Sequence, residues 1–249
     1  MSTRPKQNQV LSIKGSTKIC TEFFEYSVNN ILYQRGIYPP DDFKLVKKYG
    51  LSLWTCVDES LERYIQNVMK QVSTWMLGGQ LESLALVIMD RETREVVERW
   101  RFDVEIEDIG AEKEKENQPS PSSETIPDSN TPESKSIKRN TKTPEDIQRD
   151  IQQIMRQITS SVTFLPALQD QCKFLHCFVY AQGAFFFSSE NTFTILSYAK
   201  KDAPVPKEFI DSDPHMIVGE AESVKLRSFS TNRHKINGLV AYRLGSDMI

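Results

Sequence analysis

Cys172, His176 and Cys177 form the one close grouping of Cys and His in this 249-residue chain, within the run CKFLHCFVYA. Thiolates and imidazoles are zinc ligands, and a structural zinc site takes four of them in a tetrahedron. This run does not build one. An alternating strand would send His176 and Cys177 to opposite faces, and no CxxC pair supplies the remaining ligands. Buried thiols in a strand fit the pattern better. Cys20, Cys56, His215 and His234 are scattered.

Other chemistry is equally unsupported. The chain has no phosphate-binding P-loop, no G-x-G-x-x-G, no G-x-S-x-G and no H-E-x-x-H. Its many carboxylates alternate with apolar residues as solvated faces of strands and helices do. The expectation is a protein that binds rather than catalyses, with no metal and no cofactor. A composition of 39% hydrophobic and 26% charged residues suits a globular domain. The net charge of −3 lacks the basic excess of a nucleic-acid binder. The apolar stretch LALVIM (84–89) falls well short of the ~18–20 residues that span a bilayer. MSTRPKQNQVLSIKG carries no apolar run of signal-peptide type. The chain is therefore expected in the cytosol or nucleus, with neither nucleic acid nor membrane as a direct partner.

The elements that would position binding groups follow from periodicity. Ser16 suits an N-cap for a first helix running to about Arg35, stopped by Gly36. Cys20, Phe23, Phe24, Val28, Ile31 and Leu32 would form its apolar face. Pro39-Pro40 makes a turn. A second helix after Asp58 carries Leu61, Tyr64, Ile65, Val68, Val72, Trp75 and Met76 on one side, up to Gly78-Gly79. Then comes a hairpin: LESLALVIM (81–89), the polar turn DRETRE, and VVERWRFDVEI. Here Val96, Trp100, Phe102, Val104 and Ile106 alternate with charged Arg99, Arg101, Asp103 and Glu105, and with Glu95 at the end of the turn, predicting a strand with one face in water.

From 110 to 142 the sequence turns Ser-, Pro- and Thr-rich and cannot bury enough surface to offset its ordering entropy, which predicts a disordered insertion loop. Ser120, Thr131 and Thr143, each followed by proline, are expected phosphorylation sites. Thr143 also suits an N-cap, with Pro144 at N1 and Asp146 at N3, for a third helix bearing Ile147, Ile151, Ile154, Ile158 and Val162 on one stripe. Beyond it the chain reads as β: a doubled run between 172 and 199, then HMIVG, ESVKLRSFST and KINGLVAYRL. Three helices with so much strand indicate an α+β domain, helices on one face of a mainly antiparallel sheet. Exposed strand edges suit partners that bind by backbone pairing.

Four strings go further: FFEYSVNNILYQRGIYPPDDFKLVKKYGL (23–51), ERWRFDVE (98–105), IMRQITSSVTFLPAL (154–168) and VKLRSFSTNRHKINGLVAYRL (224–244). They closely resemble the HORMA-domain proteins of the spindle assembly checkpoint, over about 1–109, 144–172 and 191–244. The resemblance implies one HORMA domain over 1–249 with a mobile C-terminal safety belt from about 200 to 249. The belt covers the ligand-edge strand in an open form. In a closed form it crosses the sheet and encircles a peptide added to that edge. The implied function is a non-enzymatic adaptor that sequesters the activator of the anaphase-promoting complex and delays anaphase. Implied partners are short peptide motifs of that activator and of a kinetochore checkpoint protein, plus a second copy in an open–closed dimer. The implied locations are nucleus, kinetochore and cytoplasm. HORMA adaptors of the meiotic chromosome axis or of translesion synthesis are the alternative within the fold.

Carried over residue by residue, the resemblance assigns Arg156, Gln157, Phe164 and Arg227 to the interface between conformers. It assigns Phe193, Thr194, Ile195, Leu196, Ser197 and Tyr198 to the peptide-binding edge strand. Phe209, His234, Lys235, Leu239, Val240 and Tyr242 fall in the belt, with His234 as a structural contact, and Ile13 in a short N-terminal arm. Trp75 matches a helix tryptophan whose position favours core packing. Residues 173–191 are additional to the family pattern, whether as an insertion or a retained intron, and FLHCFVYA then only imitates the edge strand. Of the two strand-like runs, the second, TFTILSYAKKD (192–202), is expected to be the edge.

Overall fold

The structure, a computed structural model, describes residues 11–107, 142–168 and 191–244. Most of the 110–142 loop with Ser120 and Thr131, the 173–190 block, Cys172, His176, Cys177 and the end of the belt lie outside the described residues.

Helix α1 (Ile13–Gln34) starts earlier than its serines suggested. The Ser12 hydroxyl, not that of Ser16, caps it, accepting the Gly15 N–H at 3.1 Å. Ile13 is accordingly the first helical residue rather than part of an arm, and Ser16 is fully buried. Arg35 ends the helix, and Gly36 follows at φ +64° as anticipated. All six residues of the expected apolar face are in the core, but so are Asn29 and Asn30. Their side-chain oxygens accept the N–H groups of Cys56 (2.8 Å) and Trp54 (3.1 Å), so α1 grips a strand sideways.

That strand belongs to a hairpin absent from the periodicity, β1 (Phe43–Lys48) and β2 (Leu51–Cys56). Its two-residue turn puts Tyr49 at φ 51° and Gly50 at φ 73°, the left-handed pair that matches strand twist. Tyrosine carries no such turn signal, which hid the element.

Helix α2 (Glu59–Leu77) is capped by Asp58, which accepts the Leu61 N–H at 2.8 Å. Helix α3 (Pro144–Ser160) has the expected reciprocal box between Thr143 and Asp146. Val162, placed on its inner stripe by spacing, lies in the following tight turn and is exposed, because the helical period stops at Ser160.

The main sheet contains β3 (Leu81–Asp90), β4 (Val96–Ile106), β5 (Asn191–Ala199), β6 (Ala221–Lys225), β7 (Phe229–Ser230) and β8 (His234–Arg243). Its order is β5-β3-β4-β8-β6, with β7 also on β8, and every pairing is antiparallel. HMIVG joins no ladder, with His215 at φ 45° and Gly219 at φ 94°; the strand begins at Ala221. The helices cover one face, where Phe23, Phe24, Phe102 and Phe229 meet edge to face or tilted.

Strand β4 departs from simple alternation twice. The register steps between Ile88 and Met89, so Glu98 pairs with Ile88 while Val96 pairs with Met89. A bulge of this kind reverses the faces, and Val96 joins Ala85, Val87 and Met89 on the outer side. Nor is that outer face left to water. Arg99 is 7% exposed and donates to the Tyr198 hydroxyl at 2.9 Å. On the helix-covered face sits a buried ion pair that the spacing did not reveal. Arg35 Nε lies 2.8 Å from Glu98 Oε2, and Trp100 Nε1–H donates to Glu98 Oε1 at 2.5 Å. Burial raises the Glu98 carboxyl above its ordinary range, against the pull of Arg35 and the Trp100 N–H.

Candidate functional site

Strand β5 is bonded to β3 on one side, and no described strand lies on its other side. Such an edge presents backbone donors and acceptors to any extended chain. It comprises the six residues Phe193 to Tyr198 singled out from the sequence. Ile195 points into the core under α2, whereas Leu196 and Tyr198 pack on the outer cluster with Ile217.

Two clefts flank this edge. One, of about 550 Å³, is lined by Tyr38, Asp42, Tyr64, Arg91, Thr192 and Phe193. Its wall is aromatic: Phe193 meets Tyr38 at 6.0 Å and Tyr64 at 5.8 Å, both edge to face. The other, of about 370 Å³, runs between β5 and the chain that follows it, lined by Trp75, Ser197, Ala199, Val205, Phe209 and Asp213. Trp75 is 2% exposed, as core packing required, and it also anchors that chain. Its Nε1–H donates to the Pro204 carbonyl at 3.0 Å, and its ring meets Phe209 at 5.5 Å. Tyr198 donates to the Pro214 carbonyl at 3.2 Å, a second tie.

Residues 203–218 therefore pass as a strap beside the open edge, with Ile210 and Val218 almost fully exposed. The strap continues to β6, β7 and β8, and β8 pairs with β4 from Glu98↔Tyr242 to Ile106↔His234. β8 and β6 thus lie at the opposite end of the sheet from β5.

A family model for the HORMA domain matches residues 16–234. The chain belongs to the HORMA family. The mitotic spindle assembly checkpoint protein MAD2A of Dictyostelium discoideum is 42% identical over 237 residues, covering 95% of each chain. The mitotic spindle checkpoint component mad2 of Schizosaccharomyces pombe is 41% identical, covering 94% of each. A chain of the crystal structure of the mitotic checkpoint complex superposes with a TM-score of 0.68 at 37% identity, covering 93% of this chain and 100% of that one. These relatives place the chain among the spindle-checkpoint HORMA proteins.

In this HORMA sheet β8 alternates cleanly. His234, Ile236, Val240 and Tyr242 are buried while Lys235 and Leu239 are half-buried. Leu226 crosses β8 at Gly238, whose added Cβ would stand 2.9 Å from Leu226 Cδ1. His234 makes a structural contact: its Nδ1 is 2.6 Å from Ser16 Oγ, which is 2.5 Å from Thr231 Oγ1. Burial lowers the imidazole's pKa, opposed by a hydrogen bond to the Met76 carbonyl and by Glu107. Nothing in the sequence linked Ser16 to His234. Lys235 instead pairs at the surface with Glu105.

Of the four residues assigned to an interface between conformers, Gln157 and Arg227 meet within the chain. Gln157 Oε1 accepts the Arg227 N–H, and Arg227 Nη1 donates to Gln153 Oε1, both at 2.8 Å, seating the β6–β7 connection on α3. Arg156 is exposed on the same helix, and Phe164 is exposed in the turn beyond it. Ile13 lies apart from this group, at a small cleft with Met76, Leu77, Ile106 and His234.

Among the described residues no group of three or more His, Cys, Asp or Glu is placed to hold a metal, and no described helix is long and apolar enough to cross a membrane.

Proposed function

We propose that the chain is a spindle assembly checkpoint adaptor that captures an extended peptide on the outer edge of β5 and holds it under the 203–218 strap. The observation that supports this reading most is the pairing of β8 with β4, which leaves the outer edge of β5, between two clefts, with no described strand on it. Backbone pairing supplies affinity with little demand on peptide sequence, and the clefts supply the selectivity. Threading beneath a strap makes release depend on local unfolding, so dissociation is slow.

The partners are a peptide of the anaphase-promoting-complex activator and one of a kinetochore checkpoint protein. Sequestering the activator delays anaphase, with action at the kinetochore, in nucleus and cytoplasm. In the alternative arrangement the belt segment leaves β4 and covers the β5 edge; two such packings coexist when they differ by only a few kcal/mol. A ligand that fits one arrangement draws the population there. Arg156, Gln157, Phe164 and Arg227 form the surface on which an open copy docks.

A pull-down tests the reading. The folded chain should retain the activator's peptide; a correctly folded chain that retains none would sink it. A chain ending before Val240 loses the part of β8 opposite Glu98–Trp100 and should fail to hold the peptide.

A further inference from the structure

The edge of β5 is not equally open along its length. The Ile195 N–H, which points away from β3, donates to the Tyr64 hydroxyl at 3.2 Å. Tyr64 comes from α2, where Leu61 and Ile65 are buried and Tyr64 itself is 38% exposed. Its ring rests edge-on against Phe193, 5.8 Å between centroids. The phenol thus reaches from the helix layer around to the rim of the sheet.

A strand added to β5 would run ~4.8 Å from it, with a carbonyl ~2.9 Å from each outward N–H. Backbone alternation repeats every second residue, so the outward N–H groups are those of Phe193, Ile195 and Ser197. Ile195 is the central one. The Tyr64 oxygen occupies the place that the strand's carbonyl must take, and the two cannot both be there. Moving the phenol aside is feasible, since the cleft of about 550 Å³ lies beside it.

We propose that Tyr64 is a placeholder on the peptide-binding edge: its hydroxyl holds the central donor of β5 until an incoming strand displaces it. The inference rests on the peptide-capture reading above and deepens it. An unsatisfied, half-buried N–H is costly, and an open edge invites pairing with any extended chain. The placeholder satisfies that donor in the free protein. It thereby imposes the same toll on every strand, and only peptides whose side chains fill the flanking clefts offset it. A residue of this kind raises selectivity by weakening capture in general.

The test uses Tyr64→Phe, which keeps the ring against Phe193 and removes only the hydroxyl. In the free full-length chain, amide exchange at Ile195 should accelerate relative to the unmodified protein. With a fluorescein-labelled peptide of the anaphase-promoting-complex activator, association should quicken and affinity rise about two- to tenfold, the range of one neutral hydrogen bond. Unchanged exchange at Ile195 would overturn the proposal. Unchanged or weaker peptide binding would also overturn it, weaker binding meaning that the hydroxyl contacts the bound peptide instead. Failure of the unmodified chain to bind the probe would count against peptide capture itself. The Ile195 exchange would still decide whether Tyr64 holds that donor.

Discussion

Ser16 Oγ and His234 Nδ1, 218 residues apart in the chain, lie 2.6 Å from each other in the protein interior. One belongs to the first turns of α1 and the other begins β8, so the contact exists only while β8 lies against β4. It ties the end of the described chain to its beginning.

Acidification should therefore loosen this arrangement. The His234 pKa is lowered in the folded protein, so the unfolded chain binds more protons below its ordinary value of about 6.5. The contribution of this histidine is complete above that value and declines as pH falls toward the lowered folded pKa. Urea unfolding followed between pH 7.5 and 5.5 should show this slope, and His234→Asn, which keeps an acceptor near Ser16, should flatten it. Equal slopes in the two proteins would contradict the assignment.

The buried pair of Arg35 and Glu98 makes a second, larger prediction. Glu98→Gln leaves the guanidinium buried without its counter-charge and should cost about 3–5 kcal/mol of stability. Replacing both partners, Arg35→Met with Glu98→Leu, should cost less than the single change, because no unpaired charge remains. Denaturant midpoints of the two variants check the order.

Trp75 should control how long a peptide stays. Trp75→Phe keeps an aromatic ring near Phe209 but deletes the donor to Pro204, a bond worth about 0.5–1.5 kcal/mol. Peptide dissociation, followed by competition with unlabelled probe, should quicken about two- to tenfold. A residence time equal to that of the unmodified chain would show that the strap is held elsewhere.

Arg156 should matter to self-association and not to capture. It is exposed on α3, beside the Gln157–Arg227 contact and away from β5. Arg156→Glu should shift the molecular mass seen on sizing from dimer to monomer while peptide affinity stays within about twofold, as for surface changes generally. An unaltered mass would remove Arg156 from the interface.

Much of this architecture was legible from local pattern. α2 and α3 were readable because their signals are near neighbours: Asp58 beside its apolar stripe, and Thr143 with Asp146 three residues on. The second strand-like run proved to be β5, with Phe193 to Tyr198 along the edge. Where local pattern misled, the deciding partner was distant or the backbone irregular. Ser16 has the side chain of a helix cap, but His234 and Thr231 claim its hydroxyl. Glu98 reads as one more strand carboxylate until Arg35 and Trp100 are brought to it. Val96 changed faces through a single register step.

The sequence by itself determined the helices, the alternating strands and membership of the HORMA family, because caps, periodicity and long matching strings are all properties of contiguous residues. It left open which strand β8 would join. Backbone hydrogen bonding carries almost no side-chain code, and the half-buried alternation of HKINGLVAYR suits more than one sheet edge. Only the tertiary structure decided this, through contacts between residues far apart in the chain: His234 on Ser16, Leu226 over Gly238, and Tyr242 opposite Glu98. By fixing β8 to β4 they left the outer edge of β5 with no described strand, and with one tyrosine hydroxyl on the Ile195 N–H.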